Sequence, residues 1–329
     1  MQVAVKWRHR WQALTAVLLL VSLAALTACQ PVQMPSGGGS TEATAAATIE
    51  ATAEATAEAT TEANAAAIPE VVVSVDDTQV TVPDNFPGGI VHVTVQNSSS
   101  KDMDIGFGRV KEGHTVEEIE KLNADFEANM MPLMDAVNFM VGFNPVPAGE
   151  AREAYIDFRT GEFIIDATEH SEESAPPGQP HLYGVFKADK LVGTTEPQAD
   201  VKVQMQDFAF IMPDEIKAGK QLWEYDNTGT QWHMQFLIKP NADASTEDVM
   251  AAIATLTQGG ELSGPPPFED VADVGVPPLG PGERTWMEVS LEPGTYIALC
   301  PLPDLAAMAS GDQPMPHNAK GMEHVLTVK

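Results

Sequence analysis

His233, Cys300, His317 and Met322 follow one another along the last third of this 329-residue chain. Two imidazoles, a thiol and a thioether make a donor set suited to one copper ion that changes oxidation state. Thiolate and thioether favour Cu(I), and imidazole serves both states. A trigonal site with a long axial bond matches neither ideal geometry, so little has to move when an electron arrives. Zinc more commonly wants no thioether. Cys300 is one of only two cysteines. The other, Cys29, has a separate use at the N-terminus, which leaves Cys300 without a mate in the chain. An exported protein normally pairs its thiols, and an odd cysteine there needs a reason. Ligation to a metal supplies one, because it holds the sulfur as a coordinated thiolate.

The elements that must position these donors can be read from the flanking residues. Asn227 to His233 is a turn leading into a strand, Gly294 to Cys300 is a strand ending at the thiol, and Pro316 to Met322 is a loop entering the last strand. Strand ends gather at one pole of a β-sandwich. The chain also repeats itself. Pro83, Asp84, Gly89, Asn97 and Glu117 recur 130 residues later as Pro213, Asp214, Gly219, Asn227 and Glu247. Pro145, Gly149, Glu150, Gly161 and Ile164 recur 133 residues later as Pro278, Gly282, Glu283, Gly294 and Ile297. Copies of this length are tandem domains, joined near Thr194-Thr195-Glu196-Pro197. Within each, β-branched runs are punctuated by Pro-Gly turns. One helix interrupts each copy, opened by the capping sequences Thr115 to Glu118, running to about Met130, and Ser245 to Asp248. The expected fold is all-β: two sandwiches, each with one helix in a long connection.

With these residues in view, the second copy resembles the cupredoxins, the plastocyanin-like type 1 blue-copper family. An Asn-x-Gly turn precedes the first histidine (Asn227, Gly229, His233). A Cys…His-x4-Met run follows (Cys300, His317, Met322), with Gly321 before the methionine. The resemblance implies two tandem cupredoxin-like Greek-key sandwiches. It further implies His233 Nδ1, the Cys300 thiolate and His317 Nδ1 as trigonal ligands, with Met322 as a weak axial one. One departure stands out: sixteen residues separate Cys300 from His317, far more than in plastocyanin-like members. The added length itself costs little entropy. In the first copy Met103 stands for His233 and Ala167 for Cys300. Aligning Pro180-His181 with Pro316-His317 leaves one histidine there and sets Val185 opposite Met322. The first copy is thus expected to hold no such centre and to serve packing or docking.

The ends and the charge bound the setting. Lys6, Arg8 and Arg10 precede an apolar run from Ala13 to Leu26, which ends Leu26-Thr27-Ala28-Cys29. This resembles a bacterial lipobox, and implies a lipoprotein signal peptide over 1–28 and lipidation of Cys29. Residues 29–67 are a Thr/Glu/Ala-rich tether with no hydrophobic period. Residues 68–195 and 196–329 are then the two copies. The expected location is the outer face of a bacterial membrane, reached through the lipid anchor on Cys29. Eighteen basic against 47 acidic residues give a net charge of −29. Nucleic acid is a poor partner for such a surface, whereas a basic or membrane-bound redox protein is a suitable one. No phosphate loop, nucleophile elbow or His-Glu-x-x-His is present. Only seven histidines follow the signal, few for the second, histidine-rich centre of an oxidase or nitrite reductase. The expected role is therefore single-electron transfer without substrate turnover. Two others use the same facts: a copper carrier, store or sensor assisted by Met130, Met131, Met134, Met140, Met308 and Met315, or a metal-free interaction module. Trp223, Trp232 and Trp286 are expected in the core, and His324 at the surface or behind the ligands.

Overall fold

The computed structural model describes residues 67–171, 179–257 and 260–329. The expected signal peptide, Cys29 and the expected tether through residue 66 lie outside the described residues. In the first half the strands are β1 (Glu70–Val75), β2 (Val80–Thr81), β3 (Gly88–Asn97), β4 (Met103–Val110), β5 (Val137–Val146), β6 (Ala151–Asp157), β7 (Gly161–Glu169), β8 (His181–Ala188) and β9 (Leu191–Gly193). In the second they are β10 (Val201–Gln206), β11 (Ala209–Ile211), β12 (Glu215–Ile216), β13 (Gly219–Asn227), β14 (His233–Pro240), β15 (Phe268–Leu279), β16 (Arg284–Leu291), β17 (Gly294–Leu299) and β18 (Glu323–Val328).

Alternation decides which faces are buried. In β1, Val71, Val73 and Val75 point inward while their neighbours are more exposed, as a period of two requires. They meet Ile105, Phe107, Met140 and Phe163 from β4, β5 and β7 in one core. Val203, Trp223, Tyr225 and Val289 do the same against Leu237, Val276, Tyr296 and Leu326 in the second half. Each half is thus two facing sheets, the all-β sandwich expected from the sequence.

The repeat is reproduced in hydrogen-bond detail. β1 runs parallel to β3, with Val71 opposite Val93, and β10 runs parallel to β13, with Val201 opposite Trp223. Asn97 Nδ2 donates to Lys101 O and Val146 O. Asn227 Nδ2 donates to the matching Gln231 O and Leu279 O. The halves join edge to edge: β6 pairs antiparallel with β16, Ala154 opposite Met287. These two are themselves repeat mates, so the seam has a local pseudo-two-fold axis, and one nine-stranded sheet crosses the molecule. Arg109 locks the seam, giving Nε and Nη2 to both carboxylate oxygens of Glu283 at 2.8 Å each.

The helices differ from expectation in number. The first connection holds two, α1 (Val116–Asn123) and α2 (Phe126–Ala136), where one to about Met130 is expected. Thr115 Oγ1 accepts from Glu118 N to start α1, and Asp125 Oδ1 accepts from Ala128 N to start α2. A second N-cap inside the run therefore restarts the helix. The second connection holds α3 (Thr246–Thr257), with Ser245 and Asp248 bonding each other reciprocally. A further short helix, α4 (Leu305–Ser310), lies between Cys300 and His317.

Candidate metal centre

The structure brings His233, Cys300 and His317 together, each fully buried, with one donor atom of each within 4.8 Å of the others. His233 heads β14, Cys300 directly follows β17, and His317 opens a 3-10 turn (His317–Lys320) before β18. His317 Nδ1 lies 3.0 Å from His233 Nδ1 and 3.4 Å from Cys300 Sγ. Met322 is fully buried in the same core cluster as Cys300. Its backbone ties two of the others: Cys300 N donates to Met322 O, and Met322 N donates to His317 O. His324, two residues on, turns away toward Asp214 and Pro213 O.

The long Cys300–His317 connection closes early. Pro303 and Pro316 form an antiparallel bridge, His317 N donates to Leu302 O and Asn318 N donates to Cys300 O. Cys300 and His317 thus sit on a short loop, and residues 304–315 are an excursion carried above it. Asp304 caps α4 through Ala306 N and Ala307 N and pairs with Lys320. Gln231 Oε1 accepts from Leu305 N at 2.6 Å. Leu302, Leu305 and Trp232 pack with Leu133, Met134 and Val137 of the first half, and Trp232 stands edge-on to Phe139 at 4.8 Å. The first half therefore buttresses the ligand loop.

Protonation fits a metal. His233 Nε2 lies 2.9 Å from Asp207 Oδ1. A carboxylate accepts, so the ring proton sits on Nε2 and Nδ1 is a bare lone pair, the usual support for a ligating histidine. Burial would raise Asp207, but hydrogen bonds from Thr230 and His233 outweigh it and hold its carboxyl below the usual range. Burial lowers His233 despite Asp207, and burial together with the nearby His233 takes His317 down to about 4. Both rings are therefore neutral near neutral pH, each able to offer a lone pair to a metal. Burial pushes the Cys300 thiol up to about 12, against the opposing effect of the Met234 and Leu302 N–H groups. A cation at the cluster would have to displace that proton. Two buried imidazoles whose Nδ1 atoms meet at 3.0 Å across tilted rings, one with Nε2 unpartnered, fit poorly in an apolar core and well around a cation.

Gly229 shows why the turn before His233 needs glycine. A Cβ there would lie 2.6 Å from His233 Nε2 and 2.5 Å from Asp207 Oδ1. The turn is fixed by Gly229 N donating to Asn227 Oδ1. Residues not anticipated from sequence are Asp207, Phe208, Gln231, Asp304 and Lys320. Of these only Asp207 left a trace, in its repeat mate Asp77.

Strand register corrects the expectation for the first half. Ala298 is opposite His324 and Leu299 opposite Glu323, while Ala167 is opposite Leu182 and Thr168 opposite His181. Continued by one residue, Cys300 faces Met322. Leu182, not Val185, is therefore the mate of Met322, and His181 stands at the Gly321 position rather than that of His317. Among the described residues of the first half, Met103 stands at the His233 position and His181 at the Gly321 position.

No family model and no curated protein matches the chain. Solved structures to which it is similar include an auracyanin from Roseiflexus castenholzii, at 24% identity and a TM-score of 0.25, covering 39% of this chain and 94% of that one. Auracyanin A from Chloroflexus aurantiacus, described as a "blue" copper protein, is 18% identical at a TM-score of 0.23, covering 39% and 98%. A copper-containing nitrite reductase from Thermus scotoductus is 11% identical at 0.22, covering 80% of this chain and 62% of its own. The superpositions are loose, and the functional reading rests on the ligand cluster itself.

Proposed function

We propose that the C-terminal half holds one copper ion through His233 Nδ1, Cys300 Sγ, His317 Nδ1 and Met322, and that the protein carries single electrons. The observation that carries this is the convergence of two Nδ1 atoms and one thiol sulfur in a buried cluster, with Asp207 fixing the tautomer of His233. When bound there, the metal supplies a one-electron couple between Cu(II) and Cu(I). The chain's own residues do the rest. Asp207 orients one ring, the Met322 backbone fixes the spacing of Cys300 and His317, and the surrounding core excludes water. Full burial of the ligands supports electron transfer over substrate turnover.

The proposal extends to the setting: residues 1–28 are a lipoprotein signal, Cys29 carries the lipid, and 29–67 tether two domains, 68–195 and 196–329, to the outer face of a bacterial membrane. A basic or membrane-bound redox protein is the proposed partner, drawn by the charge of −29. The test is to load the purified chain with Cu(II) and record its visible and EPR spectra. An intense thiolate-to-copper band that is lost in Cys300→Ser is expected; no such band would overturn the reading. Reversible redox cycling without copper loss separates electron transfer from copper carriage.

A further inference from the structure

One turn touches both imidazoles. Asp207 and Phe208 connect β10 to β11. Asp207 accepts from His233, while the Phe208 ring packs against His317, centroids 5.2 Å apart and planes at 84°. Phe208 holds φ at +65°, a left-handed conformation that is uncommon for a bulky residue and marks functional sites when it persists. The Phe208 ring also meets Lys320, whose ammonium lies 3.7 Å from the ring centroid, a cation–π contact. Lys320 is held in turn by Asp304. The Nε2 of His317, on the ring that Phe208 contacts edge-on, is buried and without a hydrogen-bond partner.

The repeat separates what the turn does for the fold from what it does for the site. Asp77 accepts from Ser100 N and Oγ in the first half, as Asp207 accepts from Thr230 N and Oγ1 in the second. The aspartate is therefore framework. The next residue is Thr78 in the first half, with no positive φ. The aromatic ring and its strained backbone occur only in the half that carries the ligands.

We propose that Phe208 is the lid of the centre. Its ring, latched by Lys320 and Asp304, closes the His317 side to water and to small anionic ligands, and so restricts the site to passing electrons. This rests on the reading of His317 as a metal ligand, and the experiment keeps the two apart. The whole, metal-free chain is treated with diethyl pyrocarbonate near neutral pH. Acylation of His317 is then read by peptide mass spectrometry against the partly exposed His92. Phe208→Gly keeps the left-handed turn without the ring, Phe208→Thr copies the residue of the first half, and Phe208→Tyr keeps the ring. The Gly and Thr variants should raise the His317 ratio by about tenfold or more, because a covered group reacts only through rare openings. The Tyr variant should match the wild type. Equal ratios in the wild type and in whichever of the Gly and Thr variants keep the native circular dichroism would overturn the lid. Lys320→Met, which leaves the ring in place and frees it from its latch, should give an intermediate rise. With Cu(II) loaded, azide should alter the spectrum of the Gly variant and not that of the wild type; a wild type that binds azide as readily also overturns it. If neither protein takes up Cu(II), the metal reading fails while the acylation ratio still decides the lid.

Discussion

The two halves share a framework and part company at one pole. Asn97 and Asn227 make the same two backbone bonds, Asp77 and Asp207 hold the same turn, and Gly161 and Gly294 sit at φ of 152° and 156°. At the pole the first half has Met103, Ala167, Leu182, Ser99 and Thr78 where the second has His233, Cys300, Met322, Gly229 and Phe208. Met103 and Ala167 are buried, like their mates, and close an apolar core. The fold can therefore be completed without any donor. Burying two imidazoles and a thiol in its place lowers stability unless something compensates. The proposed metal explains the donors better than packing does.

Making the second half like the first is the most severe test. Cys300→Ala installs the residue of Ala167. It should abolish the thiolate-to-copper band completely, while the metal-free fold loses only about 1 kcal/mol for the missing sulfur. Urea unfolding of the metal-free protein beside the copper spectrum reads both. A variant that keeps the band would remove Cys300 from the centre.

The seam offers a second contrast between mates. Glu283 is buried and bidentate with Arg109, whereas Glu150, its repeat mate, is exposed beside Arg152. Glu283→Gln leaves a guanidinium half-paired in a buried seam, a change that costs about 3 kcal/mol. Glu150→Gln should stay within about 0.5 kcal/mol. Chemical denaturation of the two variants measures the difference, and equal losses would show that the seam does not depend on this pair.

Gly229→Ser repeats the exchange at the turn, since Ser99 occupies that place in the first half. The added Cβ falls on His233 Nε2 and Asp207 Oδ1. Losing such an outer partner weakens metal binding by about 10- to 100-fold, measurable by competition with a chelator. Unchanged affinity would mean that the Asp207 contact is dispensable.

Much of this contrast was legible in the sequence because it lies in residue types at fixed offsets. Asn227, Gly229, His233 and Cys300 could be set against their mates by counting. Strand patterning carried the sandwiches for the same reason, as in the alternation of Val71, Val73 and Val75. Where the copies have different lengths, counting failed. The segment after Ala167 and the one after Cys300 differ, so His181 was matched to His317, and only the β7–β8 pairing moves it to Gly321. The short effective ligand loop was hidden because a Pro303–Pro316 bridge is a tertiary contact with no local pattern. Phe208 was invisible for a related reason: its role depends on a positive φ and on two residues more than 100 positions away.

His181 makes the last test, and the smallest. Its Nδ1 lies 2.7 Å from Asp166 Oδ1, and the hydrogen bond to that carboxylate, outweighing burial, raises its pKa. His317 is shifted the other way, with no carboxylate bonded to it. One histidine is built to hold a proton, the other to offer a lone pair. A raised folded-state pKa means that the folded protein binds the proton more tightly than the unfolded chain does. The resulting stability is fully present below the ordinary histidine value of 6.5 and is lost as pH rises through the folded-state value. His181→Gln should therefore lower stability, relative to the wild type at the same pH, by on the order of 1 kcal/mol in mildly acidic buffer. The deficit should shrink in alkaline buffer. Urea unfolding of both proteins across that range checks it. A deficit that grows with pH would mean that His181 works as a neutral hydrogen-bond donor, and the proposed division between the two histidines would fail.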